Sequence, residues 1–306
     1  MEDYPKTLAE LEKQFATDEA CRTYLYALRW PDGFVCHKCG CRRMTITAAG
    51  LYLCLDCGRK TSIIQGIIFQ DSHLPLLTWF RAMWHICVQK NGASALGLQR
   101  ALGLGSYRTA WLMLHNLRKA MVRPGRDKLS GEVEVDETYV GGVKTGKRGR
   151  GAEGKSIVVV AAEKDGKGIG RIRMMCVPSF SSDDLRNAIR SMVEEGATII
   201  TDGLNSYNSL PRYGYTRIIE ETDEELDECR LSRCHLAASL MKRWIIGTLQ
   251  GSVSHEHLQD YLNEFTFRFN RRKSASASRG KLFYRLAQYA METEVFTYSK
   301  ITKHNL

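Results

Sequence analysis

Four cysteines stand in two tight pairs, Cys36-x2-Cys39 and Cys54-x2-Cys57, with fourteen residues between the pairs. Each pair can fold as a turn that aims two thiolates at one point, and two such turns complete a tetrahedral sulfur shell for Zn2+. Gly40 and Gly58 each follow the second cysteine of a pair, where a tight backbone turn is useful. Cys41 is a further sulfur donor, badly phased for a closed site. Four unrelated buried cysteines would not account for the paired spacing. Two acids have a different setting. Asp136 lies inside Glu132–Tyr139, where Val133, Val135 and Tyr139 alternate with Glu134, Asp136 and Thr138. An acid in a buried strand is costly unless it binds something, although a polar strand side facing solvent gives the same alternation. Asp202 closes the apolar run Ala197–Thr201, and ligands gather at strand ends in open α/β sheets, although Asp-Gly is also a common turn. Oxygen donors converging from separate segments are what two-metal phosphodiester chemistry requires.

These residues need a scaffold, and the chain supplies one in parts. Residues 1 to about 30 are expected to be helical, with Leu8, Leu11 and Phe15 on one face, and Trp30-Pro31-Asp32-Gly33 ends that segment. The cysteine module follows to about Thr61, then a helical region from Leu74 to Met121, broken by Arg123-Pro124-Gly125-Arg126. Within it, Ser94–Leu102 and Ser106–Ala120 flank Gly103-Leu104-Gly105 in the outline of a helix-turn-helix. Ser106 is the expected cap, Ala110, Trp111, Leu114, Leu117 and Met121 the apolar stripe, and Tyr107 and Arg108 lie near the N-terminus where base contacts are made. A plain helical hairpin fits the same pattern. Beyond the linker, strands are expected over Glu132–Val140, Ile157–Ala162 and Ile169–Val177, a helix capped by Ser182 over Ser182–Glu195, a strand to Asp202, and helices over Ser232–Ile246 and Ser254–Asn270. That order suits an α/β fold with a mixed sheet and helices on both sides.

The chain has 306 residues, 44 basic and 34 acidic, for a net charge of +10. This length suits two or three domains, and the positive excess favours a polyanionic partner such as nucleic acid. No apolar stretch is long enough for a membrane span, and the mixed, charged start is unlike a secretory signal. A cytoplasmic, nucleoid-associated protein without disulfides is the expectation.

Four segments carry a resemblance: Trp30–Cys36; Gly131–Gly142, which reads GEVEVDETYVGG; Thr201–Tyr207, TDGLNSY; and His257–Arg272, HLQDYLNEFTFRFNRR. From Trp30 to about Tyr289 the chain resembles the zinc-ribbon DDE insertion-sequence transposases, the bacterial group related to Merlin elements. The resemblance implies an RNase H-like catalytic domain with Asp136 and Asp202 as the first two ligands of two Mg2+ or Mn2+ ions. For the third ligand the wider superfamily uses Glu, and some members of the group use Asn or His. The matching segment here is Cys234–Trp244, with no acid between His235 and Gln250. His235 precedes Lys242 by seven residues, nearly two helical turns, so both share a face, with Leu236, Leu240 and Trp244 expected as the buried stripe. The family pattern, a metal ligand followed at that spacing by a base that holds DNA, points to Asp136, Asp202 and His235 with Lys242. A surface or capping role for His235 is the plain alternative. Glu264, Glu228 and Glu256 compete as ligands; Glu264, on an amphipathic helix, is expected to be solvated or salt-bridged.

Basic residues mark two further stretches. Lys144, Lys147, Arg148 and Arg150 follow the Asp136 strand in a glycine-rich loop, and Arg271 and Arg272 lie in the cluster from Arg268 to Lys281. Both suit phosphate contact, and both are also compatible with solvated surface. The expected division is an N-terminal helical segment over 1–33, a zinc ribbon over 34–66, a helix-turn-helix segment over 72–122, the catalytic domain over 130–290 and a tail over 291–306. The implied function is metal-dependent cleavage and strand transfer at insertion-sequence ends, on double-stranded DNA carrying the terminal inverted repeats and on target DNA, by a homo-oligomer on paired ends. A nuclease or resolvase of the same fold without joining activity is one alternative, and a catalytically silent zinc-ribbon DNA-binding regulator is another.

Overall fold

The computed structural model describes residues 4–141, 155–220, 231–251, 253–273 and 280–302. The chain divides into two compact units, Met1–Pro124 with Lys273–Leu306, and Gly125–Arg272. The C-terminal segment thus belongs with the N-terminal unit from Lys273 onward, so the expected catalytic span 130–290 and the observed second unit part company at Arg272.

In the first unit, helices α1 (Leu8–Gln14) and α2 (Asp18–Arg29) each start at a threonine. Thr7 and Thr17 accept the Glu10 and Ala20 N–H groups at 3.1 and 3.2 Å. Asp18 reaches across to α3 (Leu76–Val88), whose N-cap is Pro75, and takes the Leu76 and Leu77 N–H groups. Phe15 packs edge-on against Phe80 and touches Phe283 on α9 (Gly280–Ala290). The ribbon is a three-stranded antiparallel sheet of β1 (Met44–Ile46), β2 (Tyr52–Cys54) and β3 (Lys60–Thr61). Arg29 at the end of α2 donates to the carbonyls of Ser62, Ile63 and Gln65, fastening the chain that leaves the ribbon.

Helices α4 (Ala95–Leu102) and α5 (Tyr107–Ala120) meet at Gly103, whose φ of 63° is left-handed and suits glycine. Ser94 caps α4, but Ser106 makes no side-chain cap on α5, against expectation. The buried side of α5 is also richer in polar groups than its apolar stripe suggests. His115, Asn116 and Arg118 are buried with Leu114 and Leu117, and Trp111 is only half-buried. Arg118 donates to the Ala93 carbonyl, and Asn116 exchanges hydrogen bonds with the Phe296 backbone.

The second unit is built on a five-stranded sheet in the order β6-β5-β4-β7-β8. Its strands are β4 (Glu132–Val140), β5 (Ser156–Asp165), β6 (Gly168–Val177), β7 (Thr198–Thr201) and β8 (Thr216–Ile219). β4–β5 and β5–β6 are antiparallel, and β4–β7 and β7–β8 parallel. This is the RNase H-like arrangement, in which a hairpin meander flanks the first strand on one side and crossover strands on the other. Helix α6 (Ser182–Met192) covers one face with Leu185, Ile189 and Met192 against Val133, Val135, Val159 and Ile199. Its cap is Ser181, one residue before the expected Ser182. Helices α7 (Ser232–Leu249) and α8 (Leu258–Asn270) cover the other face against Val158, Val160, Ile172 and Met174. Both faces of β5 are therefore covered, as its continuous apolar run requires.

Candidate active site and metal centre

The four paired cysteines converge. Their sulfur atoms all lie within 4.8 Å of one another, with Cys36–Cys57 and Cys39–Cys54 both at 3.6 Å. A tetrahedral zinc with Zn–S bonds of about 2.3 Å has S···S edges of about 3.8 Å, so the donor set fits one such ion. The two knuckles repeat one geometry. Gly40 N–H bonds the Cys36 carbonyl and Gly58 N–H the Cys54 carbonyl, and both glycines have positive φ. Backbone N–H groups aimed at sulfur depress two thiols. Lys38 and then Cys39 act on Cys36, while Cys57 and Asp56 bring Cys54 to about 6. Thiolates so prepared are the form that binds metal. Cys41 stays out of the cluster and bonds the Arg43 backbone.

The acid site lies on the α7 side of the large sheet. Alternation along β4 sends Val133 and Val135 toward α6 and turns Asp136 the other way. There the Asp136 carboxylate meets His235 Nε2 at 3.1 Å, the two side chains being 20% and 52% exposed. Asp202 follows β7 directly. β4 and β7 pair in parallel as far as Glu134 and Ile200, and Asp202 lies near enough for its charge to act on the Asp136 carboxyl. Burial pushes the Asp136 carboxyl up and the Asp202 carboxylate adds to this, against the Glu137 N–H and His235. Lys242 is lowered by burial while Asp136 opposes that shift, as expected of a cation on the same side as the acids. The three donors are more open than the cysteine cluster: they are not all within 4.8 Å of one another. Two carboxylates and an imidazole nonetheless form a donor set of the kind that holds divalent metal.

Neighbouring residues fix the Asp202 segment. Asp202 accepts the Leu204 N–H at 3.0 Å, closing the turn. Arg217 on β8 donates to the carbonyls of Asp202 and Leu204 and to the Thr201 hydroxyl. Buried Tyr207 donates to Glu137, tying the turn back to β4. Sequence reasoning assigned no role to Arg217 or to the Tyr207–Glu137 bond, because both depend on β8 and on chain packing that periodicity does not disclose.

One expectation about this site needs correction. The buried stripe of α7 is Cys234, Ala237, Ala238, Met241, Trp244 and Ile245; Leu236 is exposed and Leu240 only half-buried. Of the two roles expected for Glu264 the salt-bridged one holds: it is fully buried, and Arg268 lies 3.5 Å away one helical turn on.

The candidate DNA-contact residues differ among themselves. Tyr107 is exposed at the start of α5, and Arg108 stacks on the Tyr298 ring 3.6 Å away, on α10 (Tyr298–Thr302). Arg271 packs over Phe267 and donates to its carbonyl. Arg272 packs over Phe269 and donates to the carbonyls of Ile169, Gly170 and Phe269. Lys147, Arg148 and Arg150 lie outside the described residues. Among the described residues no helix is long and apolar enough to cross a membrane.

Comparison with known proteins gives two family matches, an ISXO2-like transposase domain over residues 128–270 and a transposase zinc-ribbon domain over residues 16–60. Together they take in more than half of the chain and contain both sites described above. A Halobacterium salinarum protein described as an uncharacterized protein in transposable element ISH50 is 26% identical over 281 residues, covering 84% of this chain and 92% of the relative. Among solved structures, the Mos1 strand transfer complex matches at TM-score 0.29 and 14% identity, over 70% of this chain and 75% of that one. The Mos1 transposase paired-end complex with the left transposon end matches at TM-score 0.25 and 14% identity, over 66% and 79%.

Proposed function

The chain belongs to the insertion-sequence transposases that join a zinc ribbon to an ISXO2-like transposase domain, and from that premise we propose that it cuts the ends of its element and joins them to target DNA. The observation that supports this reading is the pairing of Asp136 with His235 at 3.1 Å, with the Asp202 carboxylate near enough for its charge to act on the Asp136 carboxyl. These three side chains would hold divalent metal, Mg2+ or Mn2+. Bound there, two such ions supply Lewis-acid activation of the attacking oxygen and stabilisation of the leaving one.

Asp136 and Asp202 would hold the metal, and Lys242, on the same side, would contact a phosphate of the cleaved strand. Hydrolysis at an element end frees a 3′-hydroxyl, which attacks target DNA directly, so no covalent protein–DNA intermediate is required. The cysteine cluster would hold one structural Zn2+. The ribbon and the α4–α5 pair would bind double-stranded DNA at the terminal inverted repeats, Tyr107 and Arg108 lying where such helices meet base edges. Work on two paired ends calls for a homo-oligomer, and contact with chromosomal target DNA calls for a cytoplasmic, nucleoid-associated enzyme.

The test uses the zinc-loaded full chain with duplexes carrying element ends, in Mg2+ or Mn2+. Nicking at the end and joining of pre-cut ends are both expected, and Asp136→Ala should reduce each at least a hundredfold, on the order of what loss of metal-assisted chemistry costs. Nicking without joining would convert the reading to a nuclease. DNA binding with no metal-dependent chemistry would leave a regulator.

A further inference from the structure

Glu134 shares the strand face of Asp136, two residues earlier, and its alternation suits a solvent-facing acid. It is instead 2% exposed. Its carboxylate accepts the backbone N–H groups of Arg233 at 2.8 Å and Cys234 at 3.1 Å, and pairs with the Arg233 guanidinium at 2.6 Å. Those two N–H groups belong to the first turn of α7. The N-cap position of that helix is Leu231, which has no side-chain acceptor to offer. A carboxylate from another element therefore does what an N-cap residue ordinarily does for its own helix, and its negative charge sits at the positive end of an eighteen-residue helix. Arg233 extends the tie by donating to the carbonyls of Gly166 and Gly168, where β5 turns into β6. Buried Cys234 adds a third link, its thiol donating to the Glu134 and Val160 carbonyls at 3.2 and 3.4 Å.

His235 is the next residue. Every bond that fixes the rotation and depth of the first turn of α7 against β4 and β5 also fixes the imidazole relative to the Asp136 carboxylate. We propose that Glu134 is a positioning residue of the acid site: through the first-turn N–H groups of α7 it sets His235 against Asp136 and so determines how tightly the three donors grip a divalent cation. The proposal rests on the metal-site reading given above. The supports around metal ligands commonly change metal affinity by about 10–100-fold when removed.

The experiment measures Mn2+ binding to the zinc-loaded full chain, without DNA, by electron paramagnetic resonance, for the parent, Glu134→Gln and Asp136→Ala. Glutamine keeps the size and one acceptor oxygen but loses the ion pair. Hydrogen exchange at the Arg233 and Cys234 amides and the thermal midpoint are read on the same samples. Glu134→Gln is expected to weaken Mn2+ binding by roughly tenfold and to speed exchange at the two amides, and Asp136→Ala to weaken binding further while leaving those amides protected. If Asp136→Ala weakens Mn2+ binding and Glu134→Gln changes only the thermal midpoint, Glu134 stabilises the fold without setting the donors and the proposal falls alone. If Asp136→Ala leaves Mn2+ binding unchanged, the acid site is not the metal site, and the proposal falls together with the reading beneath it.

Discussion

In the proposed donor set His235 takes the place that the family resemblance gives to a carboxylate, and the exchange has a chemical consequence. Imidazole is a softer donor than carboxylate and suits Mn2+ better than Mg2+. With its Nε2 at 3.1 Å from Asp136, His235 is placed to tune the metal preference. His235→Glu should therefore lower the ratio of the Mn2+-supported to the Mg2+-supported cleavage rate several-fold, measured at matched metal concentrations. An unchanged ratio would remove His235 from the donor set. Residues of this kind were legible in the sequence to different degrees. Asp136 and Asp202 were each ambiguous alone, one as a polar strand residue and the other as an Asp-Gly turn, and the family resemblance singled them out. Glu134 was not singled out, because a polar residue on an alternating strand has the same pattern whether water or a helix covers it. The one available signal was faint: a helix starting at Ser232 with leucine before it needs a cap from elsewhere.

Elements were more legible than their joints. The cysteine spacing marked the ribbon, and its sulfur geometry fits one zinc. Three strands of three, three and two residues bury too little to fold unaided. A strong chelator should accordingly release one zinc per chain and abolish amide protection over Phe34–Thr61, followed by a colorimetric zinc assay and hydrogen exchange. Full protection after zinc release would show the ribbon stands without metal. The β5–β6 hairpin offers a prediction with a sign in pH. Burial pushes Glu163 up, but hydrogen bonds from Arg171, the Ser130 N–H and the Arg171 N–H outweigh it and leave the carboxyl below its ordinary 4.5. A depressed carboxyl contributes stability that is full above its unfolded value and lost as pH falls through its folded value. Glu163→Gln should cost about 2 kcal/mol at neutral pH, as for hydrogen bonds to a charged group. In urea denaturation the gap between variant and parent should narrow as the pH drops below 4.5. What the sequence hid at this scale was β8, four residues of which only Arg217 is partly covered, and the phase of α7. Leu236 is apolar yet faces outward.

At the scale of the whole molecule, the net charge of +10 gives every DNA-binding step a salt dependence, but it does not say which cations contribute. For one of the two candidate groups the structure shows other duties. Arg271 and Arg272 have their guanidiniums over Phe267 and Phe269 and on backbone carbonyls of the β6 region and α8. Removing them takes packing and hydrogen bonds from the second unit, close to where the chain passes into the first at Lys273. Lys147, Arg148 and Arg150 follow β4 in a stretch of glycine and base, on the strand that carries Asp136. If these three neutralise phosphates, changing all three to glutamine should flatten the slope of log K against log salt by about 2–3, at close to one unit per lost phosphate contact. The thermal midpoint should stay close to the parent's. Arg271→Gln with Arg272→Gln should do the reverse, lowering the midpoint while leaving the slope nearly intact. Equal slopes for the parent and the triple variant would mean that these three residues do not touch the duplex. The positive charge that holds DNA would then have to be sought on α7, where Lys242 and Arg243 are exposed.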